Sequence, residues 1–85
     1  MSHLDLQQRT SATEALSLAA NELDRATSKF GPFASAHEGY AVILEELDEM
    51  WYEVKHGTVA RAREEAVQVA AMALRFLVDV PEGPS

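Results

Sequence analysis

Proline and glycine punctuate this chain at Gly31-Pro32, at Gly57 and in the stretch Pro81-Glu82-Gly83-Pro84-Ser85, leaving three segments of helical length between the breaks. Each segment opens on a start signal. Ser11-Ala12-Thr13-Glu14 and Ser35-Ala36-His37-Glu38 both have the form of a capping box, in which a serine hydroxyl and a glutamate three residues later satisfy each other's backbone N–H groups. Thr58 serves as the N-cap of the third segment. The spacing predicts helices from about residue 12 to 30, from 36 to His56, and from Val59 to Val80. Each would be about 30 Å long at 1.5 Å rise per residue.

The apolar pattern agrees. In the first segment Leu16, Leu23 and Phe30 recur every seven residues, with Ala19, Ala20 and Ala26 between them. In the second, Tyr40, Ile43, Leu44, Leu47, Met50, Trp51 and Val54 form one broad arc. Aromatics at this spacing, Tyr40, Trp51 and Phe76 among them, are read as core. The third segment is apolar around most of its circumference, through Val67, Val69, Ala70, Met72, Ala73, Leu74, Phe76 and Leu77, so it should be covered on several sides. With 85 residues, one chain offers a thin core. The expected fold is all-α: a three-helix antiparallel protomer over residues 11–80, with flexible ends at 1–10 and 81–85, assembling into a larger bundle as a homodimer or homotetramer.

Composition narrows the function. No apolar run reaches the 18 or so residues of a membrane span, and no basic stretch followed by a hydrophobic one marks a secretory leader, so a cytoplasmic protein without membrane association is expected. There are no cysteines, and His3, His37 and His56 are scattered, which excludes thiolate and imidazole metal clusters. A net charge of −7 repels nucleic acid. The cation such a chain can hold is a hard one bound by oxygen.

The acids are placed to do so. Glu38, Glu45, Glu46, Glu49 and Glu53 share one side of the second segment, where like charges a turn apart cost a few tenths of a kcal/mol per pair, roughly. Glu46 and Glu53 border the apolar arc, and Glu45 points furthest into solvent. In the third segment Glu65 falls in line with Val69, Met72 and Phe76, and a carboxylate in an apolar stripe is costly unless paired or coordinated. Gln68 flanks it one turn on. Ordinary explanations exist for several of these residues: Glu38 is accounted for by capping, glutamate pairs are common on solvated faces, and Lys29, Lys55, His37 and His56 sit at helix ends.

Glu46-x-x-Glu49 followed, after fifteen intervening residues, by Glu65-x-x-Gln68 resembles the MazG-like branch of the all-α nucleoside triphosphate pyrophosphohydrolases, whose pattern is Glu-x-x-Glu on one helix and Glu-x-x-Asp on the next. Ser35 through Val80 is similar to the short phage and bacterial members. The resemblance implies hydrolysis of a nucleoside triphosphate to monophosphate and pyrophosphate with Mg2+ or Mn2+. It implies Glu46, Glu49, Glu65 and Gln68 as metal ligands, Glu46 and Glu49 as catalytic through that metal, and Glu45 as an accessory acid or base. Lys55, Arg61 and Arg75 are weaker candidates for phosphate contacts, since no motif position assigns them. Gln68 departs from the pattern: a neutral amide replaces a carboxylate, which weakens the metal site. A nucleotide- or metal-binding protein without turnover, or a purely structural helical oligomer, are the competing readings. The last would be favoured by Glu65 salt-bridged to Arg61 or Arg75.

Overall fold

The computed structural model describes residues 9–83. Of the expected flexible ends, 1–10 and 81–85, residues 1–8 (His3 among them) and 84–85 lie outside the described residues. Three helices and no strands occur among the described residues: α1 (Ala12–Lys29), α2 (Ala36–His56) and α3 (Val59–Asp79).

The caps form where the sequence places them, with one difference. At α1 the box is complete, Ser11 Oγ accepting from Glu14 N–H at 3.1 Å and Glu14 Oε1 from Ser11 N–H at 3.5 Å. At α2 only half of it forms. Ser35 Oγ accepts from Glu38 N–H at 3.1 Å, but Glu38 Oε1 takes the N–H of Ala34, at 2.9 Å. Ser35 is more fully extended than Ser11 (φ −159° against −70°), and this presents the preceding amide to the carboxylate. Thr58 Oγ1 caps α3 by accepting from Arg61 N–H at 3.1 Å.

The chain runs up, down and up. Arg63 near the start of α3 donates to Thr10 just before α1 at 2.6 Å, and Arg75 near its end donates to the carbonyl of Gly31 just after α1, so α1 and α3 are parallel. The short Gly57-Thr58 connection makes α2 antiparallel to α3. α3 lies in the middle and packs on both neighbours, whereas the backbones of α1 and α2 do not come together. That is why its sequence is apolar nearly all round.

Small side chains dominate the interior. Ala19, Ala26, Phe33, Ala62, Ala71 and Met72 are buried, and Val42, Ile43, Phe76 and Val80 pack against the cluster of Ala26, Phe33, Ala71 and Met72. At Gly39 of α2 an added Cβ would lie 2.6 Å from the Phe76 ring, so glycine lets that ring pack against the backbone. The larger apolar residues are mostly outside. Tyr40, Leu44, Leu47, Trp51 and Val54 form a continuous exposed stripe along α2 at alternating four- and three-residue spacing. This corrects the expectation that Tyr40 and Trp51 belong to the core: they are 64% and 56% exposed, because α3 covers the other side of α2. No described helix is long and apolar enough to cross a membrane.

Arg75 secures the α1–α2 connection. Its side chain is buried; Nε donates to Asp79 Oδ2 at 3.2 Å, Nη2 to the Gly31 carbonyl, and the guanidinium lies 4.2 Å from the Phe33 ring centroid. Asp79 Oδ2 also accepts from Phe33 N–H at 3.0 Å. The assignment of Arg75 as a phosphate contact is therefore wrong, because its donors are committed to holding the chain. Removing one partner leaves the other charge buried and unpaired, so Arg75→Ala and Asp79→Leu should each lower stability by about 3–5 kcal/mol in urea unfolding, and Arg75→Met/Asp79→Leu together by clearly less than the sum.

Candidate metal centre

Glu46 and Glu49, one turn apart on α2, face the second turn of α3, where Glu65 sits. One carboxylate oxygen from each of the three lies within 4.8 Å of the others. Oxygens about 2.1 Å from a magnesium ion are roughly 3–4 Å from one another, so small side-chain movements would close this set on a cation. Glu46 and Glu65 are half-buried and Glu49 is exposed. Glu65 Oε2 is enclosed and has no hydrogen-bond partner, the one such side-chain atom among the described residues. Three oxygen donors and an orphaned carboxylate oxygen fit a hard divalent ion.

The electrostatics show what the arrangement costs. Glu46 is pushed up to about 7, first by burial and then by the charges of Glu49 and Glu65. Glu65 is raised too, again first by burial, then by its contact with Glu49 and the charges of Glu49, Glu53 and Glu64. Two ionised carboxylates have no proton to share, so the contact between Glu49 and Glu65 is a hydrogen bond only when one is protonated. Among the described residues Glu65 forms no ion pair with Arg61 or Arg75; the salt-bridged arrangement that would favour a purely structural reading is not found.

The remaining predicted residues divide. Glu45 is exposed and lines, with Glu46 and Gln68, a groove of about 440 Å³ between the helices. Gln68 contacts Glu22 of α1, a partner the sequence reading did not anticipate. Lys55 lies with Nζ 5.2 Å from the Trp51 ring centroid, and Arg61 is exposed in the first turn of α3; neither is paired with the three glutamates.

Sequence reasoning missed Glu22 and Arg25, which reach the same groove from α1. Arg25 grips Glu22 through Nε at 2.8 Å and Nη2 at 2.5 Å. That grip, with a smaller contribution from Gln68, holds the Glu22 carboxyl below its usual range. A signal was available: Glu22 lies in line with the alanines at 19 and 26, a polar residue set into the small-residue stripe that α1 buries. Comparison with known proteins gives no match, whether to a protein family, a curated protein or a solved structure. The likeness to the pyrophosphohydrolases thus rests on Glu46, Glu49, Glu65 and their spacing.

A pH dependence follows. A carboxyl raised to about 7 in the fold, from an ordinary 4.5, binds more protons folded than unfolded between those values. Its contribution to stability is present at low pH and lost as pH rises through 7. With chelator present, Glu46→Gln should gain stability relative to the native chain as pH increases from 5 to 8, followed by thermal melting. Added Mg2+ should raise the native melting temperature more at pH 8 than at pH 5, because protons compete for the same oxygens.

Proposed function

We propose that this chain is a cytoplasmic, metal-dependent nucleoside triphosphate pyrophosphohydrolase, with Glu46, Glu49 and Glu65 holding Mg2+ or Mn2+. The observations that carry the proposal are the convergence of one carboxylate oxygen each from Glu46, Glu49 and Glu65, from two helices, and the enclosed Oε2 of Glu65 that has no hydrogen-bond partner. The Glu-x-x-Glu and Glu-x-x-Gln spacing supports the same reading. When bound, a hard divalent ion supplies charge to phosphate oxygens and acidifies water. The chain's own part is to fix three anionic ligands on rigid helices, α2 and α3, and to hold Glu45 at the groove beside them as a proton acceptor. One specific observation favours a binding protein without turnover: Gln68 is uncharged and is engaged by Glu22.

Turnover decides between them. Pyrophosphate release from a panel of standard and modified nucleoside triphosphates with Mg2+ or Mn2+ should be detectable, fall at least a hundredfold in Glu49→Gln and rise in Gln68→Asp. No release from the native chain, with none restored by Gln68→Asp, would leave the binding reading.

We further propose that the working form is a homodimer or homotetramer. The exposed α2 stripe has the four-three apolar repeat of a helix-packing seam, and it adjoins a groove of about 770 Å³ walled by Tyr40, Ile43, Phe76 and Leu77. In sedimentation the native chain should exceed 9.3 kDa by a whole-number factor, and Leu47→Glu should shift it to monomer.

A further inference from the structure

We propose that Arg25 contacts the phosphate chain of the substrate, in the groove that Glu46 also lines. The inference rests on the hydrolase reading above, and identifies the cation that reading requires. A nucleoside triphosphate is a polyanion, the chain carries a net charge of −7, and the centre itself is built of three acids. One divalent ion does not neutralise that sum, so phosphate binding needs a side-chain cation close to the glutamates.

Arg75 and Arg25 are the two cations in the groove walls. Arg75 is buried and its donors are spent on Asp79 and Gly31. Arg25 differs on each point. Its side chain is 55% exposed, while that of its partner Glu22 is 13% exposed. The paired bonds from Nε and Nη2 to the two oxygens of Glu22 fix the plane of the guanidinium. The Nη1 donors are left uncommitted. A guanidinium held flat by one carboxylate, with its other edge open, is arranged for bidentate binding of a phosphate. Little rotamer freedom is left to lose on binding, since Glu22 has already fixed the side chain. Arg25 is then a substrate-contacting residue, with Glu22 as its positioning residue.

The test is calorimetric binding of two probes to the full chain in Mg2+: inorganic tripolyphosphate, and a deoxynucleoside 5′-(α,β-imido)triphosphate, which resists cleavage at the reacting bond. Arg25→Ala should weaken both roughly tenfold to a hundredfold. Arg25→Lys should recover part of the loss, because it keeps the charge but not the fork. Mg2+ affinity, measured separately, should not fall in either variant, and KM should rise far more than kcat drops. Equal affinity of native and Arg25→Ala chains for both probes would overturn the assignment while native pyrophosphate release left the hydrolase reading standing. Probe binding that weakens in Arg25→Ala, in a chain that releases no pyrophosphate, would keep Arg25 as the phosphate contact and remove only the hydrolase reading.

Discussion

The buried guanidinium of Arg75 fixes where α1 sits relative to α2. Because those two helices do not pack on each other, their mutual position is set by what each makes with α3 and by the six residues between them. Arg75 and Asp79 tie that connection down at the Gly31 carbonyl, the Phe33 N–H and the Phe33 ring. Hydrogen bonds to charged groups are among the stronger ones, about 1.5–3 kcal/mol each, and two ions that satisfy each other's donors and acceptors avoid most of the cost of burial. Arg75 also forms part of the wall of the groove that brings Glu22 and Arg25 opposite Glu45 and Glu46.

Against that stabilisation stands the carboxylate centre. Glu46 and Glu65 are both raised by burial and by one another's neighbours, so the metal-free fold is under electrostatic strain at neutral pH. The core has little to spare: four of its six buried apolar residues are alanines. A small domain that keeps three acids close, one oxygen of them enclosed and unsatisfied, holds an arrangement that raises its energy unless a proton or a cation is bound there. Such local conflict with an otherwise consistent fold is what singles the centre out as the candidate site.

The size of that core also bears on assembly. Leucines, valines and aromatics that would ordinarily fill an interior are displayed along α2 and on α3, while alanines let α3 lie close to its neighbours. A thin protomer with close backbones and large outward side chains has the division of labour expected of one part of a wider bundle. The proposed association and the proposed site use different faces of α2, the stripe through Leu47 and the arc through Glu46 and Glu49.

The helices and their boundaries within about a residue were legible in the sequence, and the grouping of Glu46 and Glu49 with Glu65 was what the resemblance of their spacing implied. Capping, glycine and proline stops and apolar periodicity act between residues one or two turns apart, and the two antiparallel segments joined by Gly57 leave few ways to set α2 against α3. What only the tertiary structure decided are the relations across long stretches of chain. Arg75 meets Gly31 across 44 positions, Phe33 meets Asp79 across 46 and Arg63 meets Thr10 across 53, and no local period announces such pairs. For the same reason Arg75 reads in the sequence as a phosphate contact and is a clamp in the fold, Tyr40 and Trp51 read as core and are exposed on the protomer, and Glu22 and Arg25 enter the groove unforeseen. Whether a polar side chain is spent on its own fold or left for a ligand depends on which distant groups surround it, and that is fixed only when the helices pack.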